Sequence, residues 1–507
     1  MTCGRLSEAR DLALSLLGQH GVPATVTARL RLRLVSILLM SGRSAEAMLE
    51  AEAVLQEDGV PDDLCVAADV DRATALTTLS DMAWARHCAE AILASPERPA
   101  GDPALAVSLS VLGLMAWSDG RLADALSLLT AAAQRVDQGP TALRGLHARL
   151  RIAPILTTLG LFDEADTTIE AARREVEGLD DHAWAAGPMT ASAQVHLAAG
   201  RLDDAAGDAT LGLEVSERLA TRLFVPAAEW VLTSVALQRG DLDGAERHLR
   251  RGRDDVPDSS GGLSQGTYRW TEARVASARG EQGRAIDILR EIVDQQRDHR
   301  RFLVDQPGAA GWLVRTAMAT GDRARAEAVV QCVDHLASAN PGLPAIEANA
   351  AHTRGLYDSD PGTLVQAAET FTHPWARASA LEDAARTLAE HGDRRAAGPW
   401  LQEALATYRC SGADRDAARV GRIVHGLRRQ RALGTRPVTG WGSLTDTERR
   451  VATTVAEGHT NAAAASRLYL SRHTVDFHLR QIFRKLAIRS RVQLTRIVVE
   501  RGTGSHR

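Results

Sequence analysis

The stretch TVDFHLRQIFRKLAIRSR, Thr474 to Arg491, sets Arg480, Arg484, Lys485 and Arg491 among polar and aromatic side chains at helical spacing. Guanidinium groups held this way can grip phosphate oxygens or take the O6/N7 edge of a guanine. With Arg472 added, a helix to about Leu486 carries one apolar stripe, Val475, Leu479, Ile482 and Leu486. The opposite face presents His473, Phe477, Arg480, Gln481 and Arg484, with Lys485 and His478 on one edge and Asp476 on the other. Phe477 could touch a thymine methyl.

Lys485 is the one lysine in the chain; the other 59 of its 60 basic residues are arginine. That excludes whole classes of chemistry. A phosphate-binding P-loop, a kinase and a Schiff-base site each need a lysine, and Lys485, between Arg484 and Leu486, stands in none of those contexts. No H-E-x-x-H zinc motif occurs. The five cysteines, Cys3, Cys65, Cys88, Cys332 and Cys410, are scattered without a C-x-x-C pair, so neither a metal site nor a disulfide framework is indicated. Asp180, Asp181 and His182 read as a solvated turn. No catalytic residue, cofactor or metal is expected, and the chain is not expected to be an enzyme. Nothing resembles a signal peptide, and no apolar run approaches the ~18 residues of a membrane span, so a reducing cytoplasm is the expected location.

The elements that must position the basic stretch can be placed. Thr445 and Glu448 spell a capping box before RRVATTVAEG, which Gly458 ends. Asn461 is expected to cap a second helix, AAAASRLYL, and Ser471 the third; a fourth runs from about Arg491 to Arg501. A helix, a tight turn and a second helix exposing arginines is the helix-turn-helix layout. Charge agrees. Residues 440–507 hold 12 Lys+Arg against 5 Asp+Glu, whereas the preceding residues hold 48 against 59. A small basic module on an acidic body is a nucleic-acid-binding footprint.

The segment resembles the DNA-binding domain of the LuxR family of transcriptional regulators. The residues that carry the likeness are Leu444–Thr445, Glu448, Val451, Gly458, Asn461, Leu468, Leu470–Ser471, Thr474–Val475, His478, Ile482, Lys485–Leu486 and Arg491. The resemblance implies a third helix in the major groove, dimerisation through the fourth, and DNA contacts from Arg472, His473, Thr474, Asp476, Phe477, His478, Arg480, Gln481, Arg484, Lys485 and Arg491. Two departures stand out. Asp476 replaces a usual lysine, which is expected to alter sequence preference. Ala462 to Ala465 replace Lys-Glu-Ile-Ala, which is expected to remove volume from the core.

The rest of the chain repeats. Gly, four residues, then Ala recurs as GRSAEA at Gly42, GRLADA at Gly120, GLFDEA at Gly160, GRLDDA at Gly200, GDLDGA at Gly240, GEQGRA at Gly280 and GDRARA at Gly321. Weaker copies start at Ser80, Gly362 and Gly392, and the steps from Ser80 to Gly280 are 40 residues each. Glycine ends one helix in a left-handed turn, and the small alanine lets the next pack close. Asp203 and Asp204 fall where a helix should start. One hairpin cannot bury its own apolar face, so hairpins must stack. The motif resembles tetratricopeptide repeats, with a step longer than their ~34 residues. By that resemblance Trp230 and Trp270, ten before their glycines, face a groove. Trp312 is nine before its glycine, Trp117 three, and Arg274 and Arg315 six. These six could hold an extended peptide or an anionic small molecule; equally, the tryptophans could be packing between repeats.

The expected fold is all-α. A solenoid of about ten hairpins over 1–427 leads through a basic Gly/Pro linker, 428–443, to a helix-turn-helix module over 444–507. The chain resembles large LuxR-type activators that join a P-loop ATPase, a helical superhelix and this module. Without a P-loop or receiver lysine it is expected not to be switched by ATP. The expectation is a cytoplasmic, homodimeric transcription regulator, an activator working with RNA polymerase on duplex promoter DNA under a small-molecule or protein effector. The rival is a helical-repeat adaptor whose DNA binding is incidental.

Overall fold

The computed structural model describes residues 6–19, 21–78, 86, 89–90, 93–94, 103–139, 141–178, 182–254, 265–294, 296–434 and 440–502. All regular structure among them is helical, and the chain divides into two compact units, Met1–Gly421 and Arg422–Arg507.

The first unit is a run of antiparallel hairpins. Successive pairs include Pro103–Ser118 with Leu122–Gln138, Ala148–Thr158 with Phe162–Glu177, Ala186–Ala198 with Leu202–Leu219, Val225–Arg239 with Leu242–Asp254, and Gln265–Arg279 with Gln282–Asp294. An added helix, Gln296–Asp305, precedes three more pairs between Ala309 and Cys410. The repeat glycines do what the spacing asked of them. Gly42, Gly120, Gly160, Gly200, Gly240, Gly280, Gly321 and Gly392 all have φ between +74° and +90°. At each turn the next residue's amide reaches back to a carbonyl five residues earlier, as Arg121 N to Ala116 O at 2.8 Å, which closes the orphan carbonyls of the helix end. The alanines five residues on, Ala47, Ala125, Ala165, Ala205, Ala245, Ala285, Ala326 and Ala397, are all fully buried. The long step comes from second helices of 16 to 18 residues in the hairpins of Gly120, Gly160 and Gly200. Asp203 and Asp204 sit in a first helical turn as expected.

One repeat assignment is corrected. Gly362 is not a turn residue but lies within the helix Pro361–Thr370. The left-handed turn falls at Ser359, φ 57°, because Asp360 caps the helix through the Gly362 amide and Pro361 is suited to its first position. The copy at Ser80, with Asp180 and Asp181, lies outside the described residues, as does the side chain of His182.

The array coils far enough to meet itself. Asn340, buried, accepts from the Leu122 amide at 2.7 Å and donates to the Gly120 carbonyl at 2.6 Å, across 218 and 220 residues. His373 Nε2 donates to the Thr157 carbonyl at 2.8 Å. A Cβ on Gly160 would strike Thr372, and one on Gly200 would strike Ser411. Turns of early hairpins therefore lean on later ones, and the first helices of several hairpins face a shared interior.

The second unit contains the helices Asp446–Ala456, Asn461–Leu468, Arg472–Leu486 and Arg491–Gly502. Its core joins Leu444, Val451, Ala452, Val455, Ala464, Ala465, Val475, Leu479, Ile482 and Leu494. Ala464 and Ala465 face this core, and Ala462 and Ala463 face solvent. The expected linker is shorter than 428–443. The helix Asp414–Gly434 takes in the basic run, and the 3-10 turn Trp441–Ser443 packs into the module, with the Gly440 amide on the Lys485 carbonyl at 2.8 Å. Residues 435–439 lie outside the described set.

Candidate nucleic-acid interface and solenoid cavity

The helix Arg472–Leu486 starts on Ser471, whose hydroxyl accepts from the Thr474 amide at 3.1 Å. Before it the chain turns through Tyr469, left-handed at φ 57° and 95% exposed. Thr460, not Asn461, caps the preceding helix: its hydroxyl takes the Ala463 amide at 3.2 Å. The Thr445–Glu448 capping box forms as read.

Val475 and Ile482 are fully buried and Leu479 nearly so, which turns the other face outward. Arg472, Arg480 and Arg484 are exposed, Phe477 is 57% exposed, and Thr474, His478 and Gln481 are partly exposed. The side chain of His473 lies outside the described residues. Arg484 donates to the Gln481 carbonyl oxygen on the same face. Among the described residues Arg472 and Arg480 make no hydrogen bond or ion pair, so both guanidinium groups are available to a partner.

Three expected contact residues are bonded within the module. Lys485 Nζ donates to both oxygens of Glu448, at 2.8 and 2.6 Å. Burial pushes the Glu448 carboxyl up, but the bonds from Lys485 and Thr445 outweigh it and leave the group below its usual range. Asp476 accepts from the Asn461 side-chain amide, and Asn461 Oδ1 in turn accepts from Arg491 Nη2 at 2.8 Å. Arg491 also reaches the His459 carbonyl at 3.0 Å. Asp476 and Arg491 thus clamp the start of one helix between two others.

Residues 442–498 match the family model of bacterial regulatory proteins, luxR family. The C-terminal module is a LuxR-family helix-turn-helix domain. Relatives along most of the chain include Rv0890c of Mycobacterium tuberculosis and Mb0914c of Mycobacterium bovis, both named as HTH-type transcriptional regulators. Each is 27% identical over 468 residues, which is 88% of this chain and 43% of theirs. The chain therefore spans less than half the length of the curated relatives it matches. Among solved structures, a Rap protein complexed with competence and sporulation factor aligns over 79% of this chain and 99% of its own, at 10% identity and a TM-score of 0.48. Yeast Tom70 aligns over 86% and 88%, at 12% identity and a TM-score of 0.31.

Away from the LuxR-type module, the solenoid interior holds a recess whose empty space, mouth included, is about 890 Å³. Four of the six expected groove residues, Trp117, Trp230, Trp270 and Arg274, line it. Trp312 and Arg315 do not. Trp312 packs partly buried against the main core. Arg315 Nη1 bonds both oxygens of Asp383 at 2.5 Å, and His352 Nε2 meets the same carboxylate at 2.9 Å. The Trp230 N–H is already bonded to Thr271 Oγ1 at 3.0 Å, so it contributes only its ring.

The Arg274 guanidinium sits in the corner between two indole rings, 4.7 Å from the Trp270 centroid and 4.6 Å from that of Trp375. The rings stand 6.4 Å apart and nearly perpendicular. Burial pushes the Arg274 pKa down to about 10, which leaves it a cation at neutral pH. Elsewhere in the lining, burial pushes the Asp305 carboxyl up to about 6, against the pull of Arg301 and Trp117. His373 is pushed down to about 4 by burial, so it is neutral, its Nε2–H on Thr157. Trp375, Asp305 and His373 escaped the sequence reading. Trp375 lies in the first turn of its helix, 17 residues before Gly392, Asp305 ends the added helix Gln296–Asp305 and His373 stands at the N-cap of the helix from Pro374, so a register counted back from the turn glycine cannot find them.

A G-x-S-x-G string, the nucleophile-elbow spacing, does occur at residues 262–266. An elbow needs a strand before its serine; Ser264 and the residues before it, 255–263, lie outside the described residues.

Proposed function

We propose that the chain is a sequence-specific DNA-binding transcriptional regulator, an activator, whose helical-repeat unit receives a small-molecule or protein signal. The observation that carries this reading is the outward face of the helix Arg472–Leu486. Arg472 and Arg480 stand exposed and uncommitted beside Phe477, on a LuxR-type scaffold in which Lys485, Asp476 and Arg491 are bonded within the module. The names of the mycobacterial relatives support it. On this reading the protein acts in the cytoplasm without catalysis, binds duplex DNA as a homodimer and engages RNA polymerase at its promoter. Arg472, Thr474, Phe477, His478, Arg480, Gln481 and Arg484 face the DNA, while Asp476, Lys485 and Arg491 hold the reading helix in place. Binding of a 436–507 fragment to duplex DNA across a salt series tests this. Affinity should fall linearly on a log–log plot, by about 0.9 for each phosphate neutralised. Absence of any DNA affinity at low salt sinks the reading.

A further inference from the structure

The recess in the solenoid combines features that select a ligand class. Its walls are large and flat: Trp117, Trp230, Trp270 and Trp375 come from four different helices. Arg274 is the one lysine-or-arginine cation in its lining. Among the described residues its guanidinium has no hydrogen bond and no ion pair, only the two indole faces. Asp416 attracts Arg274 electrostatically, but its oxygens are held by Arg419 at 2.8 Å and the Trp375 N–H at 3.0 Å. The side chain is partly exposed, so its N–H groups open into the recess rather than onto a protein acceptor. Rings on two sides fix the plane of the fork, and what would complete it is an acceptor inside the recess.

The acceptor the fork suits is a carboxylate, which takes two parallel N–H bonds. A phosphate monoester suits it less. The lining offers one cation; its own carboxylate, Asp305, is paired with Arg301 outside the lining, and its histidine is neutral and donates to the Thr157 carbonyl, so a second negative charge on the ligand would go uncompensated. We propose that this recess binds a small organic monocarboxylate with a flat, apolar body, its carboxylate on Arg274 and its body among the tryptophans. This names the ligand class for the signal-receiving role proposed above and rests on that reading. Helices of six hairpins meet here, together with the segment after Asp305, so a ligand would tie early turns of the coil to late ones.

The test uses the full chain and three probes, benzoate, indole-3-acetate and 2-naphthoate, each beside its neutral primary alcohol. Calorimetry without DNA should show at least one carboxylate binding with Kd below about 1 mM, its alcohol weaker by about tenfold or more. Arg274→Gln should erase that preference, and Arg274→Lys should weaken carboxylate binding about tenfold, because an ammonium lacks the planar fork. Should Arg274→Gln fail to fold, Gln238→Trp keeps the question open to an answer: it fills the recess without touching Arg274 and should abolish binding of acid and alcohol alike. Overturning results are no binding by any of the three acids, or equal binding of acid and alcohol. DNA affinity measured separately on the same protein distinguishes the failures. An empty recess with DNA binding intact sinks only this proposal; loss of both sinks the regulator reading as well.

Discussion

Replacing Lys485 with methionine should destabilise the LuxR-type module rather than weaken its grip on DNA. The ammonium meets both Glu448 oxygens at 2.8 and 2.6 Å, and the Glu448 side chain is 6% exposed against 25% for Lys485. Removing one partner from a buried pair costs about 3–5 kcal/mol, because the other charge is stranded. Here Glu448 keeps its reciprocal bonds with Thr445, and Lys485 is partly solvated, so the expected loss falls below that range, at about 2–3 kcal/mol. That is a large part of the stability of so small a unit. The assay is urea unfolding of the 436–507 fragment followed by Trp441, the single tryptophan in that segment and one packed against the core. A Glu448→Gln, Lys485→Met double variant should recover part of the loss, since neither charge is then buried alone. The slope of log affinity against log salt should stay the same, measured where the variant is folded. A stability loss below about 0.5 kcal/mol, with a slope shallower by about 0.9, would make Lys485 a phosphate contact and refute the argument.

Other expectations follow from the same structure. Arg480→Ala should cost about 1–3 kcal/mol on a cognate site and little on unrelated DNA; an equal loss on every sequence would make it a phosphate contact. Asp476→Lys should destabilise the module by about 1 kcal/mol, since it breaks the Asn461 bond, and urea midpoints of the fragment will show whether it does. Asp305 has its pKa raised from 3.8 to about 6, so its contribution to stability is present below about pH 4 and is lost as pH rises through 6. Asp305→Asn should therefore gain on the wild type across pH 4 to 6.5, to about 3 kcal/mol at neutrality; parallel pH profiles of the two would refute this. Asn340→Ala should cost about 2–3 kcal/mol and loosen the meeting of early and late turns, read as faster amide exchange near Leu122.

The hairpin array was legible because its signal is local. A left-handed glycine and an alanine five residues on are demands of one turn, and eight of the glycines and their alanines meet them. The closure of the coil was not legible: Asn340 and Gly120 are 220 residues apart, and nothing in either one's neighbourhood names the other. The recess shows the same division. Register placed Trp230, Trp270 and Arg274 on its wall, and Trp117 lines it too, but Trp375 completes the Arg274 site only through coiling. In the LuxR-type module the helices, the capping box and the apolar stripe were all readable. What charge could not show is that Lys485, Asp476 and Arg491 are bonded to neighbouring helices, since those partners lie 15 to 37 residues away in sequence.

The central claim, that this protein reads a DNA sequence through the helix Arg472–Leu486, is most directly tested by selection of duplexes from a random pool by the full chain. Enrichment of a two-fold symmetric sequence that the Arg480→Ala protein no longer enriches is the expected result. A pool that stays random with the wild-type protein, at salt low enough for it to bind, would contradict the claim.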